Sequence, residues 1–474
     1  MGGFFGVVSK QDCISGLFYG TDYHSHLGTR RGGLATINDG RFTRFIHDIS
    51  NSPFRSKFEY DITTMHGRCG IGVISDYEDQ PLIIGSHLGR YAMVTVGVVK
   101  NATALAQQAF RKRGIHFSEM SGNEINPTEL IATLIDQEES FEQGIKNVQE
   151  QIQGSCSLLL LTQKGIYAAR DRYGRTPVII GRNEDGFAVT METSALPNLG
   201  YTVERDLGPG ETVLLTPDGI EQKNPPNNDL HICCFLWIYY GYPASSYEGI
   251  NVEATRYRCG AALAEDETVE VDSVSGIPDS GIAHALGFAA KSRLRYSRPF
   301  VKYTPTWPRS FMPQQQYTRD LIAKMKLIPI KELTEGKRLL FCDDSIVRGT
   351  QLRVTLERLY EYGAREIHLR PACPPLIFGC KFLNFSRFRS ELDLAARKAI
   401  IEMEGDGPKT ALEQYADDSS EKYAAMVDTI GRKIGVTSLR YQQLNKMIKA
   451  IGLPQEKVCT YCWTGKSKGI PSDS

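Results

Sequence analysis

The segment KRLLFCDDSIVRGTQLRVTLERL, residues 337–359, carries residue types that suit a diol or a metal ion and a phosphate group. An apolar strand is predicted to end at Asp343 and Asp344, and a short loop then leads into a predicted helix. Two carboxylates there can accept hydrogen bonds from a diol or help to hold Mg²⁺. The loop offers backbone N–H groups, hydroxyls and a helix N-terminus, which suit a phosphate. The alternative is a plain strand-to-helix turn with an Asp cap.

A second chemical signal lies near the end of the chain, where VCTYCWTGK places Cys459 and Cys462 in a C-x-x-C pattern. This spacing is typical of a redox pair, half of a zinc site or half of an iron–sulfur site. Coincidence is a further alternative. No equally tight second pair follows, which disfavours a plain zinc ribbon.

Composition bounds the class of protein that must position these residues. A chain of 474 residues predicts two domains or three. The 55 basic and 55 acidic residues balance, which argues against nucleic-acid binding through bulk charge. Eleven scattered cysteines indicate a reducing cytoplasm rather than a disulfide framework. Neither a membrane span nor a secretory signal is predicted.

The pattern of elements changes near residue 225. Residues 1–225 read mostly as strands with two or three helices, including the hairpin SCSLLLLTQKGIYAARD, which predicts an α+β domain of stacked antiparallel sheets. The polar, Pro-rich segment KNPPNNDLHI, residues 223–232, reads as a linker. Residues 226–474 then alternate apolar strands and helices, as expected for a parallel α/β sheet with a helical, Cys-containing tail.

The string DDSIVRGT resembles the phosphoribosyl diphosphate (PRPP) loop of type I phosphoribosyltransferases, and most closely that of amidophosphoribosyltransferase, the first enzyme of purine synthesis. The resemblance implies that Asp343 and Asp344 hold the ribose hydroxyls and contribute to a Mg²⁺ site. It also implies a loop that cradles the 5-phosphate, formed by Ser345, Val347, Arg348, Gly349 and Thr350.

The resemblance extends over the whole chain. SGIPDSGIAHALGFA resembles the family's PxPDSGxxAALGYA segment, which places Ser280 beside the metal and the diphosphate. FVKYTPTWPRSFMPQQQ resembles the loop that closes over the diphosphate and retains Lys302 and Arg309, although the family's Asn-Arg-Tyr reads Tyr-Thr-Pro here. Lys326 is also retained, although the Asn that follows it in the family is Ile328.

One branch of this family carries a [4Fe–4S] cluster on four cysteines. The corresponding segments read HICCFLWIYY, PPLIFGC and CTYCWTGK, and Cys234 and Cys373 are near neighbours of the matching positions. The resemblance therefore implies a structural cluster that ties the tail and the linker to the α/β domain, on Cys233, Cys380, Cys459 and Cys462.

The family's N-terminal domain is a glutaminase of the N-terminal nucleophile type, whose mature chain begins with the nucleophilic Cys. This chain begins MGGFFGVV, and Gly2 stands at the nucleophile position. Val96 replaces the Asn of the family's oxyanion-hole Asn-Gly, and Pro127 replaces the Asp that anchors the substrate's amino group. Arg68 in HGRCGIG is expected to survive as the clamp on the glutamine carboxylate. Cys13 and Cys69 are disfavoured as substitute nucleophiles because neither has a free α-amine beside it.

The resemblance leaves three functions to weigh. The favoured one is an amidophosphoribosyltransferase that uses ammonia, since the glutaminase site is lost. The others are a non-catalytic PRPP-binding regulator or subunit, and a phosphoribosyltransferase with another amine acceptor. The family also implies Mg²⁺, purine nucleotide effectors and a homo-oligomer.

Overall fold

We analysed a computed structural model that describes residues 2–111, 117, 120–121, 124–303, 327–383, 390–405 and 412–469. The N-terminal part of the chain contains two stacked antiparallel sheets. The first has seven strands, in the spatial order β13-β11-β12-β1-β4-β2-β3. Its strands are β1 Gly3–Ser9, β2 Arg31–Asn38, β3 Arg41–Asp48, β4 Cys69–Ser75, β11 Ile179–Arg182, β12 Gly186–Thr190 and β13 Thr202–Asp206.

The second sheet has six strands, in the order β15-β14-β10-β9-β6-β5. Its strands are β5 Leu82–Ser86, β6 Gly89–Val99, β9 Gly154–Thr162, β10 Gly165–Ala169, β14 Thr212–Thr216 and β15 Gly219–Asn224. A two-stranded pair, β7 Met120–Ser121 and β8 Glu124–Ile125, lies apart from it. The predicted hairpin, which is formed by β9 and β10, and the predicted stacked antiparallel sheets are thus confirmed.

Six helices lie in the described part of residues 2–225, more than the two or three that the sequence predicts. Helix α1 packs on the outer face of the first sheet, and α4 and α5 pack on the outer face of the second. Asn126 caps α4, since its side chain accepts a hydrogen bond from the Thr128 N–H at 2.9 Å. The helices are α1 Ile14–Asp22, α2 Phe54–Phe58, α3 Ala102–Arg111, α4 Pro127–Ile135, α5 Phe141–Gln151 and α6 Ala195–Asn198.

Strand β1 lies in the middle of this four-layer arrangement and is buried along its whole length. A side chain at Gly6 would meet Leu159 and Ile166 of the second sheet, whereas the Phe5 ring packs on α1 at Gly20. Burial on both faces explains why FFGVV is a continuous apolar run rather than an alternating one.

The C-terminal part of the chain is built on a parallel sheet in the order β19-β22-β23-β24. Leu340 and Cys342 of β22 pack towards α7 and α8, while Leu339 and Phe341 pack towards α10, α11 and α13 on the other face. Those strands are β19 Ser273–Gly276, β22 Arg338–Asp343, β23 Glu366–Pro371 and β24 Ser438–Leu439.

Shorter pairs and the helices complete this part of the chain. The paired strands are β16 Ile232–Cys233 with β25 Val458–Cys459, β17 Ser246–Tyr247 with β18 Ile250–Asn251, and β20 Phe300–Lys302 with β21 Leu327–Pro329. The helices are α7 Val252–Glu265, α8 Gly281–Ser292, α9 Lys331–Thr334, α10 Thr350–Glu361, α11 Ala395–Glu404, α12 Leu412–Ala416, α13 Glu421–Ile434, α14 Leu444–Ile451 and α15 Tyr461–Thr464.

The predicted alternation of strand and helix is confirmed. The division at residues 225 and 226 stays a prediction, with β15 ending at Asn224 and a π-helical turn at Leu236–Tyr240 following the linker. No helix in the described ranges is both long and apolar enough to cross a membrane.

Candidate active site and cysteine cluster

Asp343 and Asp344 lie where β22 ends, at the carboxyl edge of the parallel sheet. Both are buried, and the Asp344 N–H donates to the Asp343 carboxylate at 2.9 Å. Burial and the charge of Asp344 raise the pKa of Asp343 well above its usual range. Burial also raises the pKa of Asp344. Because two buried carboxylates this close repel each other, the pair favours a bound cation, which would lie between the carboxylates and a ligand.

Ser280 lies directly before α8 and donates its hydroxyl to Asp344. The Ser345 hydroxyl donates to the same carboxylate at 2.5 Å. The beginning of α8 can lie this close to β22 because residue 281 is a glycine. A side chain at Gly281 would meet the Cys342 carbonyl oxygen at 2.5 Å. The structure therefore brings together the acids and the serine that lie 63 residues or more apart in sequence.

The loop from Ser345 to Thr350 turns sharply into α10. Gly349, the residue before that helix, has φ +73°, a left-handed conformation that favours glycine. The Ala395 N–H of α11 donates to the Val347 carbonyl at 2.8 Å, and Arg348 pairs with Asp393 at 3.8 Å. The segment around Asp393 thus holds the loop against the helix N-terminus.

Lys302 ends β20 and pairs with Asp279, one residue before Ser280. The structure thus places this predicted diphosphate ligand beside the acidic edge of the sheet. Arg309 and Lys326 lie outside the described residues.

Sequence reasoning missed Arg256 of α7, which is buried and donates to the carbonyl oxygens of Trp237, Tyr239 and Gly241. Its charge acts to lower the pKa of Asp344, against the larger effect of burial. No spacing or motif marks Arg256, because the backbone carbonyls that hold it come from the π-helical turn.

A separate cavity of about 810 Å³ lies at the beginning of the chain. Gly2, Val96, Gly97 and Pro127 line it, so the positions that correspond to the family's nucleophile, oxyanion hole and amino-group anchor do meet in space. None of these four residues has a side chain that can attack an amide or pair with an ammonium group. A side chain at Gly2 would lie 2.4 Å from the Ile74 carbonyl oxygen.

The expectation for Arg68 is wrong. Strands β1 and β4 are antiparallel, with Gly3 opposite Ile74, and the Ser9 N–H donates to the Arg68 carbonyl at 2.8 Å. Because a strand rises about 3.3 Å per residue, Arg68 lies about 20 Å from the Gly2 end of the sheet. Ser75 takes the place beside residue 2.

The cavity also differs in charge from a site for an amino acid. The described lining residues include the carboxylates Asp76 and Glu78 and a single cation, Lys100, which is exposed. Burial raises the pKa of Glu78, to which Ser75 donates at 2.9 Å. A bound glutamine would therefore bring its carboxylate towards acids rather than towards an arginine.

The four candidate cluster ligands are brought together from three segments. Cys233 and Cys459 are opposite each other in the parallel pair of β16 and β25. The Cys462 thiol donates to Cys380 and, with the amides of Phe382 and Leu383, lowers the pKa of Cys380 to about 7. Burial, with the neighbouring Cys459 and Cys380, raises the pKa of Cys233.

No group of three or more His, Cys, Asp or Glu residues in the described ranges is arranged to hold a single metal ion. A four-iron cluster is wider than one ion, so its ligands lie further apart. The buried guanidinium of Arg175 adjoins the cysteines, and its Nε and Nη1 have no acceptor among the described residues. An unpaired buried cation beside four thiols fits an anionic group between them.

The two stacked antiparallel sheets, and the parallel sheet with paired acids at its edge, define the class of protein. It is an amidotransferase-type sandwich followed by a phosphoribosyltransferase-type sheet. Residues 66–198 match the family described as glutamine amidotransferase domain. An amidophosphoribosyltransferase of Methanocaldococcus jannaschii is 30% identical over 98% of this chain and 97% of its own length. The chain therefore belongs to the amidophosphoribosyltransferase family.

Two solved structures agree with this assignment. The first, a glutamine PRPP amidotransferase from B. subtilis complexed with ADP and GMP, is 28% identical, with a TM-score of 0.84 over 98% of this chain and 97% of its own. The second, described as the allosteric regulatory enzyme of purine biosynthesis, is 26% identical, with a TM-score of 0.83 over 98% and 96%. The fold is thus a class II glutamine amidotransferase domain followed by a type I phosphoribosyltransferase domain.

Proposed function

We propose that this chain forms 5-phosphoribosylamine from PRPP and free ammonia, as a step of purine biosynthesis. One observation carries the proposal: the paired-acid site is assembled, while the positions of the nucleophile, the oxyanion-hole Asn and the amino-group anchor in the N-terminal cavity are occupied by Gly2, Val96 and Pro127. Membership of the amidophosphoribosyltransferase family supports PRPP as the substrate.

In this proposal the acidic edge of the sheet binds the ribose and a metal ion. Asp343 and Asp344 accept hydrogen bonds from the ribose hydroxyls and, with Ser280, would hold Mg²⁺. The two buried carboxylates fit this ion, because a bound cation would offset their mutual repulsion. Bound Mg²⁺ supplies positive charge to the diphosphate leaving group.

The remaining residues bind phosphate and orient the reaction. The 5-phosphate lies in the loop of Ser345, Val347, Arg348, Gly349 and Thr350, against the N-terminus of α10. Lys302 contacts the diphosphate, and we assign Arg309 and Lys326 to the same group. Ammonia attacks C1 of the ribose as diphosphate leaves, so the protein acts mainly through positioning and charge.

The glutaminase half of the family's reaction is proposed to be lost. Without a thiol at residue 2 the covalent route is closed, and loss of one oxyanion donor alone typically costs about 10²–10³ in rate. The position of Arg68 strengthens this proposal, because no arginine is among the described lining residues to clamp the glutamine carboxylate.

We further propose a structural [4Fe–4S] cluster on Cys233, Cys380, Cys459 and Cys462. The meeting of these thiols and the unpaired donors of Arg175 support it. Such a cluster would join the linker, the sheet domain and the tail, and no step of the transfer reaction runs through it.

The test is diphosphate release from PRPP and Mg²⁺ by the anaerobically purified chain, with ammonium or with glutamine. Release with ammonium alone is expected, and Asp344→Asn should abolish it while Asp418→Asn, a change at an exposed carboxylate, should not. Release with glutamine would contradict the loss of the glutaminase.

Calorimetric titration with PRPP separates the other functions. Binding without release under either condition would overturn the proposed synthesis and favour a PRPP-binding regulator or a different amine acceptor.

A further inference from the structure

Arg175 is the side chain outside the cysteines that best explains how the proposed cluster site works. It lies between β10 and β11 in the amidotransferase-type domain, and its side chain is only 1% exposed. The guanidinium stacks on Phe382, with Cζ 3.6 Å from the ring centroid, and lies 4.6 Å from that of Tyr173. Two aromatic faces therefore fix its plane.

Within the described residues, one of its three nitrogens has hydrogen-bond acceptors. Nη2 donates to the Lys468 carbonyl at 2.5 Å and to the Ser467 hydroxyl at 3.4 Å. Nε and Nη1 are buried without an acceptor in the described part of the chain. Charged donors left unpaired in the interior are strongly unfavourable, so this geometry favours an anion beside them.

The neighbours of Arg175 are the proposed cluster ligands. The Cys233 N–H donates to the Arg175 carbonyl at 3.2 Å, and the Cys459 sulfur lies 3.5 Å from the Ser467 hydroxyl that Arg175 also contacts. Phe382, on which the guanidinium stacks, donates its N–H to the Cys380 sulfur at 3.5 Å. Arg175 thus contacts Cys233 through its backbone, and its guanidinium adjoins Cys459 through Ser467 and Cys380 through Phe382.

We infer that Arg175 is a positioning residue of the cluster, donating hydrogen bonds to its anionic sulfurs and raising its reduction potential. The inference rests on the cluster proposed above. Hydrogen bonds to the sulfurs and local net charge are two of the factors that set the potential of such clusters. Because Arg175 belongs to the N-terminal domain, the cluster also depends on a domain that supplies none of its ligands.

The test compares the anaerobically purified chain with Arg175→Gln, Arg175→Lys and the matched control Arg172→Gln. Arg172 is exposed in the same loop and carries the same charge. Iron and sulfide per chain are measured first, and the midpoint potential is then obtained by a redox titration followed by visible absorption. Far-UV circular dichroism checks that each variant is folded.

We expect Arg175→Gln to disfavour the reduced cluster at least tenfold, which is 59 mV for a one-electron couple. Arg175→Lys should shift the potential less, because it keeps the charge but loses the planar fork. Arg172→Gln should leave it unchanged. Loss of iron from Arg175→Gln alone would also support the inference.

An unchanged potential in Arg175→Gln would overturn the inference while leaving the cluster intact. Loss of iron from both Arg175 variants, with each still folded, would show that the side chain acts only through packing. That result would overturn the inference too. Absence of iron from the unmodified chain would instead refute the cluster, and with it this inference. Diphosphate release with ammonium does not depend on any of these outcomes.

Discussion

At the scale of single residues, Gly2 decides what the N-terminal cavity can do. The position directly precedes β1, a strand that is buried on both faces, and its neighbour Ser75 fills the place where an arginine would be needed. A thiol added there would lack both an oxyanion donor at Val96 and an amino-group anchor at Pro127.

We therefore expect Gly2→Cys to show no glutamine-dependent diphosphate release. The Cβ atom would lie 2.4 Å from the Ile74 carbonyl oxygen, so the strand would also have to shift. Mass spectrometry must first show that Met1 has been removed, and ammonium-dependent release is the positive control. A glutamine-dependent rate near the ammonium rate would show that the cavity is still a glutaminase site.

Glu267 is a residue whose charge stabilises the fold of the second domain. It accepts two hydrogen bonds from the buried Arg370, at 2.6 and 3.0 Å, and one from Arg440 at 2.9 Å. Burial acts to raise the pKa of Glu267, but these contacts outweigh that effect and lower the pKa from 4.5 to about 2. The stabilisation is thus present above pH 4.5 and is lost as the pH falls towards 2.

Glu267→Gln should lower the free energy of unfolding at neutral pH by about 3–5 kcal/mol, because it leaves Arg370 buried and unpaired. Its stability should also fall less between pH 4.5 and 2 than that of the unmodified chain. Urea denaturation across this range measures both effects. The exposed Glu265→Gln is the control, with an expected loss below about 1 kcal/mol.

At the scale of elements, the loop between β22 and α10 depends on one backbone conformation. An added Cβ at Gly349 would lie 3.4 Å from Ile434, an ordinary contact, so conformation rather than space restricts this position. The left-handed conformation costs other residues roughly 1–2 kcal/mol.

Gly349→Ala should therefore raise the KM for PRPP between about fivefold and thirtyfold, the equivalent of that energy. Gly336→Ala is the matched control, because Gly336 has φ +70° and no neighbour near its added Cβ but lies away from the loop. The Gly336→Ala variant should lose a similar amount of folding stability, while its KM for PRPP should stay unchanged. Equal KM values in the two variants would contradict the role given to the loop.

At the scale of the whole molecule, the cysteine segments fasten the tail. The amides of Ile377 and Phe378 donate to the Cys462 carbonyl at 3.0 and 3.1 Å, and Trp463 stacks on Phe235 with centroids 5.2 Å apart. These contacts join the tail to the linker and to the loop that carries Cys380.

If a cluster completes this junction, removing iron should lower the Tm and open the tail to trypsin at Lys457, an exposed residue just before β25. Differential scanning fluorimetry and digestion before and after anaerobic chelation measure the two effects. Cys13→Ala, a change at a buried cysteine of the N-terminal domain, should keep its iron and its Tm. Trypsin resistance that survives complete iron removal would show that the tail is held by packing alone.

The type of most elements, and the side-chain chemistry of the loop between β22 and α10, could be predicted from the sequence. Apolar runs, Gly349 and the acids at the end of β22 are local signals, because strand ends and turns depend on nearby residues. The same holds for Gly2, Val96 and Pro127. These residues cannot supply a thiol, an amide or a carboxylate in any fold.

Which distant residues meet follows from the tertiary structure and not from any local segment. A motif match placed Arg68 in the N-terminal cavity, but the antiparallel register of β1 and β4 puts it at the opposite end of the sheet and Ser75 in its place. Arg175 and Arg256 carry no motif, because their roles come from segments that approach only in the folded chain. Register and long-range packing depend on the whole set of contacts, and so no single segment encodes them.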